Sequence, residues 1–151
     1  MTTVTVTSRI AAPVERVFEV FTDIDHGAEN VSGIRKIEML TSAGFRLGTR
    51  WRETREVMGR EMSEDMEVTA FERNRTYTIT NDVRGTRVDA VFSFEPSDDG
   101  TRVSVEFMLE PQSFPSRLLA PLGWALTGKI RDAIAHDIAD LKRTAEMART
   151  A

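Results

Sequence analysis

Apolar residues recur at helical spacing in one long stretch, residues 113–147. The recurring positions are Leu118, Leu122, Leu126, Ile130, Ile134, Ile138, Leu141 and Ala145. A continuous helix of that length would run roughly 50 Å, which exceeds the roughly 40 Å breadth of a compact domain of this size. Because proline and glycine weaken a helix interior, we expect a break at Pro121 and Gly123. The pattern therefore predicts a short helical piece at 115–120 and a main helix from about residue 121 to residue 147.

The N-terminal third has shorter patterns. Residues 2–10 alternate valine with threonine, which is typical of a half-buried strand with Val4, Val6 and Ile10 on one face. Pro13 suits the first position of a helix, and an apolar stripe follows it at Val14, Val17, Phe18 and Phe21. Residues 23–33 predict one irregular helical turn, and residues 34–41 predict a second strand.

Five further strands are expected at 48–58, 61–71, 75–83, 87–95 and 102–110. Two-residue turns at 59–60, 73–74 and 84–85, and a loop at 97–100, set their registers. Trp51 is predicted to pair with Val68, Arg55 with Glu64, and Ile79 with Ala90. Because every turn preserves the alternation, one face collects the apolar side chains. That face comprises Trp51, Met66, Val68, Tyr77, Ile79, Ala90, Phe92, Phe94, Val103, Val105, Phe107 and Leu109.

A sheet with one apolar face must be covered, and the C-terminal helix is the remaining element long enough to cover it. The predicted fold is α+β, with a seven-stranded antiparallel sheet curled around that helix and two short helices after strand 1. This order of elements resembles the helix-grip proteins of the START and birch-pollen-allergen superfamily, most closely their bacterial polyketide cyclase/dehydrase and lipid-transport branch. The similar segments are IAAPVERVF at 10–18, GTRWRE at 48–53, MEVTAFE at 66–72 and the final helix. The resemblance implies a hollow between the sheet and the helix.

Composition fits a single domain spanning residues 1–151, since 40% of the residues are apolar. The net charge of −4 comes from interspersed charges without a basic run, which argues against a nucleic-acid partner. There is no cysteine, which excludes disulfides and thiolate catalysis and fits a cytoplasmic protein. We expect no export signal, because the N-terminal MTTVTVTSRI lacks a charged lead-in followed by an apolar core. We also expect no stable membrane insertion, because no stretch of eighteen consecutive apolar residues occurs. Monomer and homodimer both remain open.

Five polar residues are predicted to point inward from the sheet: Glu53, Arg55, Glu64, Tyr77 and Asn81. Because unpaired buried polar groups are costly, they need partners or a ligand. Arg55 and Glu64 form either a cross-strand ion pair or a solvent-exposed rim, and Glu53 is expected in one row with Asn81. Neither a metal nor a cofactor is predicted, because the two histidines are far apart and phosphate-loop motifs are absent.

The leading hypothesis is a module that binds or carries a small hydrophobic molecule, such as a lipid, a polyketide or another aromatic compound. The predicted ligand contacts are Trp51, Glu53, Met66, Tyr77, Ile79, Asn81, Phe92, Phe107, Leu122, Leu126 and Ile130. One alternative, implied by the resemblance, is a cofactor-independent cyclase or dehydratase that uses Glu53 or Tyr77 as acid or base. A second alternative is a regulatory interaction domain whose cavity is filled by its own side chains.

Overall fold

The computed structural model describes residues 2–42, 44–57, 59–112 and 114–147, with the side chains of the last range described from residue 128 onward. Within these residues the chain forms seven strands, namely β1 (Thr2–Ile10), β2 (Ile34–Met39), β3 (Arg50–Val57), β4 (Arg60–Glu72), β5 (Thr76–Val83), β6 (Thr86–Ser97) and β7 (Gly100–Pro111). The helices are α1 (Val14–Thr22), α2 (Gly27–Asn30) and α3 (Phe114–Met147), with a 3-10 turn at Ile24–His26. The antiparallel sheet has the order β1-β7-β6-β5-β4-β3-β2. The predicted fold class is therefore confirmed.

The hydrophobic periodicity of the N-terminal third is realised as expected. Val4 and Ile10 are buried on the inner face of β1, and neighbouring threonines are exposed. Helix α1 begins directly after Pro13, whose extended backbone lets the chain turn from the strand into the helix. One side of α1 packs into the core through Phe18 and Phe21, which are almost fully buried. These contacts join α1 to the concave face of the sheet.

Helix α3 differs from the prediction in one respect. Its backbone is helical without a gap from Phe114 to Met147, so the break predicted at Pro121 and Gly123 is wrong. A proline removes one helical hydrogen bond and bends the helix locally, but neighbouring residues keep their bonds and the helix continues beyond it. The predicted apolar stripe is present where side chains are described, since Ile134 and Ile138 are buried.

The register between β3 and β4 also needs correction. Trp51 pairs with Met66 rather than Val68, because Val57 pairs with Arg60 and the connection between β3 and β4 therefore lies one residue earlier than predicted. Gly59 has a φ of +79°, a conformation that glycine adopts without steric cost. Moving a turn by one residue shifts the pairing by two, so the inward and outward faces remain as predicted.

A bulge interrupts the next pair of strands. Val68 pairs with Ile79 as predicted, but the register shifts before Ala70, which pairs with Thr78. The extra residue in β4 brings Phe71 to the inner face, where its ring lies 5.9 Å from that of Phe18. The two remaining hairpins have the predicted registers, and the continuous inner face of β4 to β7 packs toward α1 and α3.

Candidate functional site

A cavity of about 160 Å³ lies between the concave face of the sheet and α3. Helix α1 and the segment that follows it close a third side. The described residues that line it are Val20, Phe21, Asp23, Ile24, Gly27, Val31, Ile34, Trp51, Glu53, Arg55, Met66, Tyr77, Ile79, Asn81, Ala90, Phe92, Phe107, Ile134, Asp137, Ile138 and Leu141. Most of these side chains are aliphatic or aromatic, as in binding sites for apolar small molecules.

Tyr77 is the central residue of the aromatic wall. Its ring stacks on Phe92 with the centroids 4.6 Å apart, and Phe45 packs edge-on against it at 4.8 Å. The hydroxyl donates a long hydrogen bond of 3.5 Å to the carbonyl oxygen of Phe21. Burial raises the pKa of the Tyr77 hydroxyl well above its usual value, because the phenolate would lose its hydration. These contacts make Tyr77 a neutral packing residue.

A hydrogen-bonded polar cluster lies on the β3 side of the cavity. Glu53 accepts hydrogen bonds from the indole Nε1 of Trp51 at 3.2 Å and from Nε of Arg55 at 2.7 Å. The guanidinium of Arg55 also binds Asp137 of α3 through both terminal nitrogens, at 3.2 and 2.9 Å. The cluster therefore links the sheet to the C-terminal helix through a two-point ion pair, which is the stronger type of hydrogen-bonded pair.

Burial and charge act in opposite directions on this cluster. Burial disfavours the charged form of Arg55, but the charges and hydrogen bonds of Glu53 and Asp137 raise its pKa above the usual value. Burial also raises the pKa of Asp137, and the charge of Glu53 adds to that effect, while Arg55 opposes it. Two carboxylates share one guanidinium, so the cluster carries one negative charge in excess when all three groups are ionised.

The local sequence explains how the cluster forms. Trp51, Glu53 and Arg55 alternate along β3, which places all three side chains on the inner face. Gly33 lies beside them, and a Cβ atom at that position would be 3.2 Å from Nη1 of Arg55. The small residue therefore leaves space for the guanidinium between β3 and α3.

Asp140, one helical turn after Asp137, anchors the loop before β2. Its side chain is only 5% exposed and accepts hydrogen bonds from the backbone N–H and the hydroxyl of Ser32, at 3.0 and 2.9 Å. Burial opposes ionisation of Asp140, but the bonds from Ser32 and the nearby bases His136 and Arg143 lower its pKa overall. Asp137 and Asp140 thus attach α3 to β3 and to this loop.

At the α1 side of the cavity, Asp23 pairs with His26. Nδ1 of His26 lies 2.9 Å from each carboxylate oxygen of Asp23. The hydrogen bond and charge of Asp23 raise the pKa of His26. His26 is largely exposed, and His136 is exposed on α3.

Eight of the sequence-predicted ligand contacts are in the cavity wall: Trp51, Glu53, Met66, Tyr77, Ile79, Asn81, Phe92 and Phe107. Ile130 packs against the hydrophobic core beside the cavity. Leu122 and Leu126 lie outside the residues whose side chains are described. A role in ligand contact remains a prediction for all of them.

The predicted partner of Arg55 is wrong. The corrected register places Arg55 opposite Met62 and Glu64 opposite Glu53, so the Arg55–Glu64 pair does not form. Arg55 is not a solvent-exposed rim residue either, because it reaches across to Asp137 of α3. Glu53 pairs with Glu64 rather than Met66, so it does not lie in one cross-strand row with Asn81 as predicted. Glu53 and Asn81 nevertheless both line the cavity.

Sequence reasoning missed Asp137 and the residues of the α1 side, such as Asp23 and Val31. Asp137 could have been noticed, because it is three residues after Ile134 and next to Ile138 in the stripe that faces the sheet. An acid on an apolar helix face needs a partner, and the inward Arg55 was available. Residues between 20 and 34 line the cavity because of the way α1 and α2 lie across the sheet. No periodic pattern in the sequence predicts that arrangement.

None of the helices is long and apolar enough to cross a membrane in the part of the chain that the structure describes.

The curled sheet, the long helix and the cavity between them define a helix-grip domain. The chain belongs to the family described as polyketide cyclase/dehydrase and lipid transport, whose sequence profile matches residues 1–146. The resemblance predicted from the sequence is thus confirmed. No curated protein matches the sequence.

Several solved structures are similar to this chain. A START superfamily protein from Mycobacterium smegmatis is 18% identical, with a TM-score of 0.75 over 97% of this chain and 98% of that one. Ara h 8.0201 is 16% identical, with a TM-score of 0.77 over 95% and 97% of the two chains. The di-domain ARO/CYC protein StfQ from the steffimycin biosynthetic pathway is 10% identical, with a TM-score of 0.82 over 99% of this chain and 52% of that one. Identities this low establish the fold alone.

Proposed function

We propose that this protein binds a small apolar molecule, most favourably one aromatic ring, in the cavity between the sheet and α3. The observation that carries the proposal is the space of about 160 Å³ with a largely apolar wall between the sheet and α3. Well-packed protein interiors contain few voids larger than a water molecule, so an apolar cavity of this size indicates a binding function.

The volume limits the size of the ligand. A cavity of roughly 150 Å³ in a protein core holds a benzene ring, whereas sites for drug-sized molecules measure roughly 300–1,000 Å³. A single-ring compound therefore fits this cavity as it stands, and a long lipid or a multi-ring polyketide exceeds its volume.

The two alternative functions have less support. Both oxygens of Glu53 accept hydrogen bonds from Trp51 or Arg55, and the hydroxyl of Tyr77 faces a backbone carbonyl. These contacts favour positioning roles over acid–base catalysis. A regulatory domain with a self-filled interior would leave little space where the cavity lies. Ligand binding accounts for both the space and its apolar wall.

Binding can be tested by titrating the protein with ethylbenzene and following the backbone amide signals by NMR. We expect shifts concentrated at Ile79, Ala90 and Phe107, together with a rise in melting temperature, because a ligand that binds only the folded state stabilises it. Native mass spectrometry of the purified protein would reveal a small molecule retained from the host.

A cavity-filling variant provides the control. Ala90 is 6% exposed in the cavity wall, and Ala90→Leu would place about three more carbon atoms there. We expect it to abolish ethylbenzene binding, whereas Ala70→Leu at an exposed position of β4 should bind as the wild type does. Equal binding by both variants, or no binding by the wild type, would refute the proposal.

A further inference from the structure

The polar groups around the cavity carry an excess of negative charge. Among the lining residues that the structure describes, Asp23, Glu53 and Asp137 are acids and Arg55 is the sole arginine or lysine. His26 neutralises Asp23 when it is protonated, but the Glu53–Arg55–Asp137 cluster retains one uncompensated carboxylate. This charge would repel an anionic ligand and attract a cationic one.

The two carboxylates also keep free capacity to accept hydrogen bonds. Each of their four oxygens accepts one of the hydrogen bonds from Trp51 and Arg55 described above, and a carboxylate oxygen offers two lone pairs. The Glu53 side chain is 10% exposed and that of Asp137 is 24% exposed, so water screens the excess charge less than it would at the surface. A group that donates several hydrogen bonds suits this position.

The aromatic wall favours the same type of ligand. Trp51, which donates a hydrogen bond to Glu53, lines the cavity together with Tyr77 and Phe92, and aromatic rings attract cations. The guanidinium of Arg55, which could otherwise bind an anion, already holds both carboxylates. The cavity thus combines space for one ring with an electronegative end.

From this arrangement we propose that the ligand is a single-ring aromatic amine in its protonated form, with the ring in the apolar part of the cavity and the ammonium group against Glu53 and Asp137. The inference rests on the proposed function and specifies the chemical class of the ligand.

Three probes of similar size separate the possibilities near neutral pH: benzylamine, which is a cation, ethylbenzene, which is neutral, and benzoate, which is an anion. Affinities measured by NMR titration or calorimetry should rank benzylamine first and benzoate last. We expect benzylamine to bind on the order of tenfold more tightly than ethylbenzene, which corresponds to about 1.4 kcal/mol. Added salt should reduce that ratio, because it screens the partly exposed cluster.

A variant tests whether the preference for a cationic ligand depends on Asp137. Asp137→Asn removes one carboxylate charge with little change in shape, and the benzylamine-to-ethylbenzene affinity ratio should fall close to one. Asp132→Asn makes the same charge change at an exposed position of α3 and should preserve the ratio. The wild-type ranking of the three probes decides the inference even if Asp137→Asn does not fold.

The outcomes distinguish the two proposals. Binding of all three probes with similar affinity, or tightest binding of benzoate, would overturn the inference and leave ligand binding supported. Absence of binding for all three probes would overturn the proposed function and the inference with it. A tenfold ratio that persists in Asp137→Asn would also overturn the assignment of the ammonium group to this cluster.

Discussion

Replacing Arg55 by methionine tests the central polar cluster. Methionine retains much of the length and packing of the arginine stem, but it leaves Glu53 and Asp137 as neighbouring carboxylates without their cation. Removing one partner of a fully buried ion pair costs roughly 3–5 kcal/mol. The Arg55 and Asp137 side chains are 31% and 24% exposed, so solvent screening reduces the effect and we expect a loss of about 2 kcal/mol in the free energy of unfolding near neutral pH.

The loss should depend on pH. The pKa of Asp137 is raised by burial already in the wild type, and Arg55 opposes that rise. Without Arg55 the pKa rises further. A carboxyl group whose folded pKa exceeds its unfolded value contributes stability below the unfolded pKa and loses it as pH rises through the folded pKa. The difference between variant and wild type should therefore shrink as pH falls toward about 4, because the carboxyl group of the folded variant is then protonated and the pH approaches the unfolded pKa of about 3.9.

Urea denaturation followed by tryptophan fluorescence, at about pH 7 and at about pH 4, measures both effects. Arg52→Met is the matched control, because Arg52 lies on the same strand and bonds Asp65 at 2.8 Å on the exposed outer face. Exposed pairs contribute little, so this variant should lose much less stability. Equal losses for Arg52→Met and Arg55→Met, or a loss at Arg55 that does not change with pH, would refute this account.

Three further predictions concern packing. Gly100→Ala would place a Cβ 2.1 Å from the carbonyl oxygen of Ile10 and should destabilise the protein by at least about 2 kcal/mol. Gly128→Ala on α3 meets open space and should stabilise the protein by about 0.5–1 kcal/mol. Thermal melts in which both variants are more stable, or both less stable, than the wild type would contradict this prediction. Tyr77→Phe removes one long hydrogen bond and should cost no more than about 1 kcal/mol in urea melts, and a larger loss would mean that the hydroxyl has a stronger role. Ile134→Ala should cost about 2–5 kcal/mol and enlarge the cavity enough to admit naphthalene, which NMR titration would detect; a wild type that binds naphthalene equally well would show that the cavity size does not limit the ligand.

Much of the fold follows from periodicity. Inward and outward side chains alternate along β3 to β7. A turn misplaced by one residue preserves this alternation, because it shifts the pairing by two residues. That is why Trp51, Glu53 and Tyr77 were predicted inward correctly although the β3–β4 register was wrong by two. The bulge before Ala70 shifts the register by one residue, so it exchanges the inward and outward faces and brings Phe71 into the core. No sequence pattern predicted it.

By itself, the sequence determined the element order, the inner face of the sheet and the stripe of α3 that covers it, because these depend on local spacing and on the need to bury apolar surface. Only the tertiary structure decided that Arg55 meets Asp137 rather than Glu64, that Ser32 meets Asp140, and that residues after α1 close the cavity. Those contacts depend on the curvature of the sheet and the position of the helix against it. Both are set by the packing of the whole domain, since no local pattern brings together residues 82 positions apart.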